Sequence, residues 1–340
     1  MAKFYWSATK VNIANYCAMR YYLRYVLHQQ PLRLSIYVKG SLLHNLIEHF
    51  WDKLGTPEEV AKKSCKKKYF DSESFAKYGR GLWTRIVVAD EKAKQKIAWR
   101  DKDEKWVIRN DMLNICKPLF NYLYGEERPI FTEMGFDFFV GKERFKGRID
   151  EIQLRGEKII VRDYKSGYPW VGEMKLKHDP QLTLYNVGVS TLIKSNEKVR
   201  EVLGVKNLEE FMQGNNFISP NLEQEFFMIE ALKKKKEPIF SSLRIEENFL
   251  EVLKMVKGVR KKAESGEIYP ERGKKCDICD LKVCCDQELY NVGKGESFPE
   301  SGQMVINFSD PFYMRKEKNP KPKIKKKILG QTRFNFRYNL

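Results

Sequence analysis

The chain has 340 residues, of which 42% are hydrophobic and 13% aromatic, so it can bury a sizeable core and is neither disordered nor collagen-like. Lysine and arginine number 63 against 45 aspartates and glutamates, and the net charge of +18 favours a polyanionic partner such as nucleic acid. Neither a membrane-spanning apolar run nor an apolar signal core is present, so we expect an intracellular protein, cytoplasmic or, in a eukaryotic system, of the nucleus or a viral replication compartment.

Apolar residues at helical spacing predict that the first part of the chain, residues 1–130, is helical. The stretch is rich in lysine, which fits helices with one solvated face. The predicted helices cover residues 7–27, 36–53 and 57–125, the last with breaks near Gly79–Gly81 and Asp101–Asp103.

After residue 130 the pattern changes to short runs of aromatic and β-branched residues, which are typical of strands. Strands are predicted over residues 130–140, 144–154, 158–165 and 225–231, and helices over 180–195 and 244–265. This order predicts an α/β (α+β) fold in which a small mixed central sheet is flanked by helices.

Two acidic residues occupy matched positions on a predicted hairpin. Its strands meet at Gly156-Glu157, and glycine as the first of two loop residues suits a type II′ turn. A two-residue loop here pairs residues whose numbers sum to 313, which places Asp150 directly opposite Asp163. Because side chains alternate along a strand, Lys165 shares the face of Asp163.

Two carboxylates and a lysine on one face suit the hydrolysis of phosphodiester bonds. Like charges placed opposite each other destabilise a sheet, and a divalent cation held between them removes that penalty. Carboxylates are ligands of Mg²⁺ and Mn²⁺, and such a cation lowers the pKa of bound water and neutralises charge in the transition state. A lysine beside the cation can orient or deprotonate that water and bind the phosphate.

Seven cysteines without an export signal indicate metal or cluster ligation in a reducing compartment rather than a disulfide framework. Cys276, Cys279 and either Cys284 or Cys285 form a compact ligand set, in which the five-residue spacer favours Cys285. A tetrahedral or cubane site needs a fourth ligand, and C-x-x-C spacing alone makes zinc the default metal. The two cysteines of the lysine-rich helical stretch are expected to be buried hydrophobic residues: Cys65 and Cys116.

Several motifs together resemble the PD-(D/E)XK nuclease superfamily, specifically its RecB-like branch. The segment GRID, which ends at Asp150, and the following strand, which ends in Asp163-Tyr164-Lys165, resemble the catalytic strands of that family. DPQLTLY (residues 179–185) resembles the Gln-x-x-x-Tyr motif of the branch, and GSLLHNLIEHF (residues 40–50) resembles its histidine-bearing helix. The resemblance covers about residues 5–290.

The resemblance implies a restriction-endonuclease-like core at residues 131–290 and gives each motif a role. The implied ligands of Mg²⁺ or Mn²⁺ are His44, Asp150, Asp163 and the Tyr164 carbonyl. The implied catalytic residues are Asp150, Asp163 and Lys165, with Gln181 and Tyr185 supporting the site and contacting DNA. Glu133 lies where the family often has an acidic residue, and we expect it around the ligands rather than among them.

Members of this branch of the AddB type, the CRISPR-associated RecB-like type and the exonuclease V type carry a [4Fe–4S] cluster. One of its cysteines precedes the nuclease motifs and three follow them. The resemblance therefore implies the cluster ligands Cys17, Cys276, Cys279 and Cys285, with zinc as the lesser alternative. Cys17 lies in a segment similar to the family's C-P-x-x-[YF] motif, except that Ala18 stands in place of proline.

We expect a metal-dependent DNA nuclease, namely a single-strand exonuclease of recombination or repair with a helicase as a candidate partner. One alternative is a CRISPR adaptation nuclease that trims prespacers with an integrase partner, and another is a viral RNA-directed nuclease of the same fold. A nucleic-acid-binding module without catalysis belongs to a different class, and the intact set of Asp150, Asp163 and Lys165 argues against it.

The end of the chain, residues 291–340, is predicted to be an exposed basic tail. Residues 301–340 alone carry ten lysines and arginines against two acidic residues. Such a charge neutralises phosphates, so the tail is expected to add non-specific affinity for nucleic acid that weakens as salt is added.

Overall fold

The computed structural model describes residues 5–54, 71–92, 97–167, 176–265, 268–271 and 273–293. Cys65 and residues 294–340 of the basic tail lie outside these ranges, so the expectations for them stay predictions. None of the helices in the described ranges is long and apolar enough to cross a membrane.

The described residues form helices, one main sheet and one short two-stranded sheet. The helices are α1 (Ala8–Tyr16), α2 (Ala18–Tyr25), α3 (Ser35–Leu54), α4 (Ser72–Lys92), α5 (Glu104–Gly125), α6 (Pro180–Ser195), α7 (Glu197–Val202), α8 (Leu208–Met212), α9 (Glu246–Ser265) and α10 (Lys282–Gly293). The strands are β1 (Arg33–Leu34), β2 (Ile97–Ala98), β3 (Phe131–Val140), β4 (Glu143–Arg155), β5 (Lys158–Lys165), β6 (Leu222–Met228) and β7 (Ile239–Ser242). Short 3₁₀ helices cover Ile229–Lys234 and Lys274–Ile278.

The chain divides into two compact units. Within the described residues, the first unit draws on residues 5–8, 36–92 and 106–252 and contains the main sheet. The second unit draws on residues 9–35, 97–105 and 253–293. It contains the two-stranded parallel sheet of β1 and β2 and an apolar cluster around Met19, Tyr22 and Leu281.

The main sheet is mixed, and its strands follow the order β3-β4-β5-β6-β7. β5 and β6 run parallel, while the other neighbours are antiparallel. The pairs from Glu151↔Arg162 to Arg155↔Lys158 confirm the predicted hairpin register, since their numbers sum to 313. Gly156 has a φ of +61°, as the first loop residue of a type II′ turn requires. The predicted α/β fold with a small mixed sheet is confirmed.

Two helix predictions were wrong. The single helix expected over 7–27 is two helices, because Cys17 has an extended backbone with φ −165° and ψ 115°. The break expected near Gly79–Gly81 is absent, because α4 runs through both glycines. Gly79 instead permits close packing, since a Cβ atom there would lie 3.2 Å from the sulfur of Cys116.

The remaining predicted elements within the described residues agree apart from their ends, except that the short strand β2 lies inside the helical stretch predicted over 57–125, of which residues 57–70 lie outside the described ranges. The sequence did not predict α7, α8 and β7. The interruption near Asp101–Asp103 is confirmed, because α5 begins at Glu104. The strand expected over 225–231 is Leu222–Met228, and the chain then enters the 3₁₀ helix Ile229–Lys234.

Helix α6 packs on the sheet through a contact that only glycine allows. The ring of Phe136 lies between Gly147 on β4 and Gly188 on α6. A Cβ atom on Gly147 would lie 2.8 Å from Cε1 of that ring, and one on Gly188 would lie 2.7 Å from its Cγ. Both distances are too short for carbon atoms, so the two glycines set how closely α6 approaches β4.

We expect Gly147→Ala to lower the free energy of unfolding by about 1–3 kcal/mol, because the added methyl group displaces the Phe136 ring. Thermal melting of the full chain measures the loss. Adding Phe136→Leu should restore part of it by making room. Gly81→Ala is the matched control, because a Cβ atom there meets nothing within 4 Å. Equal melting temperatures for Gly147→Ala and Gly81→Ala would contradict the packing argument.

Candidate active site

His44 on α3 lies beside the facing strands β4 and β5. The helix approaches β5 closely because Gly40 lacks a side chain, and a Cβ atom there would lie 3.3 Å from the Ser166 hydroxyl oxygen. Nε2 of His44 lies 3.0 Å from the Tyr164 carbonyl oxygen, and its Nδ1 lies 3.5 Å from Oδ2 of Asp150. The Tyr164 amide donates a hydrogen bond of 2.9 Å to the same Asp150 oxygen. The imidazole, the carboxylate and the carbonyl therefore lie together.

Glu133 on β3 completes a group of candidate cation ligands. Within the described residues, His44, Glu133 and Asp150 each offer a ligand atom that lies within 4.8 Å of the other two. Glu133 has a φ of 54°, an uncommon backbone conformation for a residue other than glycine. One imidazole and two carboxylates suit Mn²⁺ and, through their oxygens, Mg²⁺. We expected Glu133 around the ligands, and the structure places it among the candidates instead.

Without a nearby cation, the carboxyl groups of Asp150 and Glu133 resist ionisation. Burial raises the pKa of Asp150 to about 8, and the neighbouring charges of Asp163 and Glu133 add to the shift. Burial also raises the pKa of Glu133, although the guanidinium of Arg148 opposes that shift. A divalent cation favours the ionised form of each carboxyl and so offsets the cost of crowding them. The residues present therefore fit a divalent cation.

Asp163 lies beside this group and not within it. Its Oδ2 is 2.5 Å from the Lys165 ammonium nitrogen, and its Oδ1 accepts a hydrogen bond of 2.6 Å from Nε2 of Gln181. The Tyr185 hydroxyl donates to the same Oδ1 at 3.3 Å. The amide oxygen of Gln181 accepts from Lys165 at 2.7 Å, so one side chain fixes both the lysine and the aspartate.

Lys165 carries a positive charge in this arrangement. Burial alone would lower the pKa of its ammonium group, but the charges of Asp163, Asp179 and Asp150 outweigh that effect and raise the pKa. The ammonium nitrogen also lies 4.9 Å from the centre of the Phe226 ring. A charged lysine here can bind a phosphate oxygen or orient water, whereas deprotonating water would require it to be neutral.

Helix α6 begins at a complete cap that positions Gln181 and Tyr185. The Asp179 carboxylate accepts hydrogen bonds from the amides of Gln181 at 2.8 Å and Leu182 at 3.2 Å, and Pro180 follows it. Tyr185 lies one turn further on, where its hydroxyl accepts from Nε2 of Gln181 at 2.9 Å. Burial raises the pKa of Tyr185 well above its ordinary value, so the hydroxyl stays protonated.

A buried ionic network underlies the same two strands. Glu151 and Arg162 follow and precede Asp150 and Asp163 in the chain, so they point to the opposite face of the sheet. Both are fully buried, and Arg162 lies 3.3 Å from Glu151 and 3.0 Å from Glu225. The sequence did not lead us to this network, although Glu151 and Arg162 also pair at the sum of 313.

Tyr164 connects the two faces of the sheet. Its hydroxyl donates a short hydrogen bond to Glu151 in the network, while its amide and carbonyl contact Asp150 and His44. The ring is almost fully buried and lies 5.4 Å from the ring of Phe227, centre to centre. The network therefore anchors the residue whose backbone adjoins the candidate cation site.

The cysteines after the nuclease motifs lie in the second unit together with Cys17. Cys17, Cys279 and Cys285 pack against an apolar cluster that includes Cys284. Among the described residues, no three cysteine sulfurs all lie within 4.8 Å of one another. A tetrahedral zinc site needs sulfurs about 3.8 Å apart. No such set of sulfurs is present among the described cysteines.

Two further contacts bear on the choice of cysteine ligands. Cys284 is buried in the apolar cluster, whereas Cys285 is partly exposed. Arg20, one turn after Cys17, lies 2.7 Å from the buried carboxylate of Asp280, which follows Cys279. This ion pair connects the segment of the first cysteine to that of the later ones.

A five-stranded mixed sheet flanked by helices, with this site on its central hairpin, has the restriction-endonuclease-like fold. The family model of the PD-(D/E)XK nuclease superfamily matches residues 5–286 of the chain. The chain therefore belongs to this superfamily, whose members are nucleases and typically use divalent metals. Comparison with curated proteins gives no match.

Proposed function

We propose that this protein is a divalent-cation-dependent DNA nuclease that degrades single strands from their ends. The observation that carries the proposal is the group of His44, Glu133 and Asp150 within 4.8 Å of one another, beside a strand with Asp163 and Lys165. Membership of the superfamily supports the reaction class, and the net charge of +18 supports a polyanionic substrate. The likeness of the motifs to the RecB-like branch supports DNA and single-stranded ends.

The proposed ligands of Mg²⁺ or Mn²⁺ are His44, Glu133, Asp150, Asp163 and the Tyr164 carbonyl. A cation bound there lowers the pKa of a bound water and neutralises charge on the attacked phosphate. Asp163 is included because it occupies the position opposite Asp150 in the hairpin register, next to the pair Glu151↔Arg162. The likeness to the family's catalytic strands supports the same assignment.

Lys165 is proposed to act on the phosphate or the attacking water. An ammonium group has three N–H donors, and Asp163 and Gln181 accept two of them. The third can reach a phosphate oxygen or water. Gln181 holds the lysine and the aspartate in their relative positions, and Tyr185 supports Gln181 and Asp163 from α6. Gln181 and Tyr185 are also the residues of α6 proposed to contact DNA.

Asp163→Asn and Lys165→Met separate these roles. Asp163→Asn should abolish single-turnover cleavage of an end-labelled DNA strand, because the cation loses a charged ligand. Lys165→Met should lower cleavage by roughly a hundredfold or more without weakening Mn²⁺ binding in calorimetry, because lysine is not a ligand and its loss removes a positive charge beside Asp163. Lys158→Gln is the matched control on β5, since its exposed ammonium pairs only with Glu223 in the described structure and should be dispensable.

Wild-type cleavage by both Asp150→Asn and Asp163→Asn would place the active site elsewhere and refute the proposal.

A circular single strand tests whether cleavage needs a free end: it should stay intact under conditions that degrade the linear strand. Conversion of the circle to a linear strand would contradict exonucleolytic action, but it would not contradict the proposed cation site.

We also propose that Cys17, Cys276, Cys279 and Cys285 hold a [4Fe–4S] cluster. The likeness to cluster-bearing members of the RecB-like branch supports this set, and Cys285 is preferred because it is partly exposed whereas Cys284 is buried in the apolar cluster. The ion pair of Arg20 with Asp280 would hold the ligand segments together. A cluster bound there supports the fold, with no electron transfer required.

Anaerobically purified protein should therefore be brown, with a broad absorbance at about 400 nm. Cys276→Ala should lose the colour and the iron, because the cluster then lacks a thiolate. Cys116→Ala is the matched control, because that cysteine is buried in the first unit and should retain both. Colourless wild-type protein with one zinc per chain would overturn the assignment.

A further inference from the structure

The β3–β4 hairpin has one buried side and one exposed side. On β3, Phe136 and Phe138 are buried, whereas 63% of Phe139 is exposed. On β4, Lys146 is exposed and lies between the buried Phe145 and the glycine that contacts Phe136. The exposed side, here called the hairpin face, consists of Asp137, Phe139, Arg144, Lys146 and Arg148.

The strand register brings these residues together on one side of the sheet. The cross-strand pairs are Phe139↔Arg144, Asp137↔Lys146 and Gly135↔Arg148. Successive cations on β4 are two residues apart, which corresponds to about 6.6–6.8 Å along the strand. The Arg144 guanidinium lies 5.5 Å from the centre of the Phe139 ring. The hairpin face is therefore a row of cations with an aromatic ring at one end.

The other end of the row adjoins the candidate cation site. Arg148 forms a short ion pair with Glu133, one of the three candidate ligands, while 68% of its side chain stays exposed. A guanidinium has five N–H donors, so Arg148 can hold Glu133 and bind a phosphate at the same time. From Arg144 to Asp150 the strand spans about 20 Å.

We propose that the hairpin face binds the single strand of nucleic acid on its way to the cation site, which rests on the nuclease function proposed above. Arg148 and Lys146 bind successive phosphates, and the Phe139 ring stacks on a base at the far end. Arg144 is not assigned a phosphate, because Asp137 accepts hydrogen bonds from it at 2.8 and 2.5 Å.

The cations and the exposed aromatic ring of the hairpin face both favour a single strand of nucleic acid as the occupant. A basic surface with an exposed aromatic ring is how proteins bind single strands without reading their sequence. A phosphodiester bound at Asp150 has neighbouring phosphates within a few ångströms, and Arg148 is an exposed cation beside the candidate ligand Glu133 that can bind one of them. The exposed Lys146 ammonium lies next along the same side of β4.

Binding of a fluorescent oligothymidylate to the full chain tests the proposal, with Asp163→Asn in the background to prevent cleavage. Adding Lys146→Gln should make the slope of log K against log salt shallower by about 0.7, the value for one lost phosphate contact on a single strand. Adding Phe139→Ala should weaken binding roughly five- to a hundredfold with an unchanged slope, because stacking carries no charge.

Lys158→Gln in the same background is the matched control, because it removes one exposed lysine near the β4–β5 turn, away from the hairpin face. It should change neither the affinity nor the slope. Melting temperatures should be equal for all three variants, since each side chain is exposed. If the Lys146 and Phe139 variants bind like the Lys158 variant while wild-type protein still cleaves DNA, the hairpin face is refuted and the nuclease function stands. Failure of wild-type protein to bind or cleave any nucleic acid would overturn both.

Discussion

The geometry of the candidate site depends on the position of Asp150 opposite Asp163 in the β4–β5 hairpin. The observed pairs stop at Glu151↔Arg162, and the two aspartates occupy the next position of that register. Two carboxylates held this way repel each other, which contributes to a pKa of about 8 for Asp150. A hairpin that keeps them together is destabilised locally unless positive charge is supplied. Lys165 supplies it to Asp163, and a divalent cation at the group of His44 and Glu133 would supply it to Asp150.

The two faces of the β4–β5 hairpin carry different ionic groups. One face carries the carboxylates of the candidate cation site, and on the other the Arg162 guanidinium forms ion pairs with the buried carboxylates of Glu151 and Glu225. Breaking a buried ion pair costs about 3–5 kcal/mol, so the network fixes the register strongly. Tyr164 connects the network to the candidate site, because its hydroxyl donates a hydrogen bond to Glu151 and its amide donates one to Asp150. The network thus anchors Tyr164, whose peptide groups contact the candidate cation ligands, from the opposite face of the sheet.

Short-range rules predicted much of the fold and part of the site. The hairpin register followed from the turn at Gly156 and the alternation of side chains, and the helix with Gln181 and Tyr185 followed from its motif. The place of Glu133 among the candidate ligands was not predicted, because strand alternation assumes extended backbone and Glu133 has a positive φ of 54°. The ion pair of Arg162 with Glu225 was not predicted either, because the two residues lie far apart in the sequence. The extended backbone of Cys17 was not predicted either, because the spacing of apolar residues stays helical across the interruption.

Whether the hairpin site binds a cation can be tested by diffraction from crystals of the full chain soaked in Mn²⁺, collected at a wavelength where manganese scatters anomalously. We predict an anomalous peak at about 2.0–2.3 Å from ligand atoms of His44, Asp150 and the Tyr164 carbonyl, with a carboxylate of Glu133 or Asp163 completing the set. The cation should also separate the His44 ring from the Tyr164 carbonyl, which lie 3.0 Å apart without it. Manganese bound elsewhere in the chain, with that contact and the Asp150 contacts unchanged, would contradict the account.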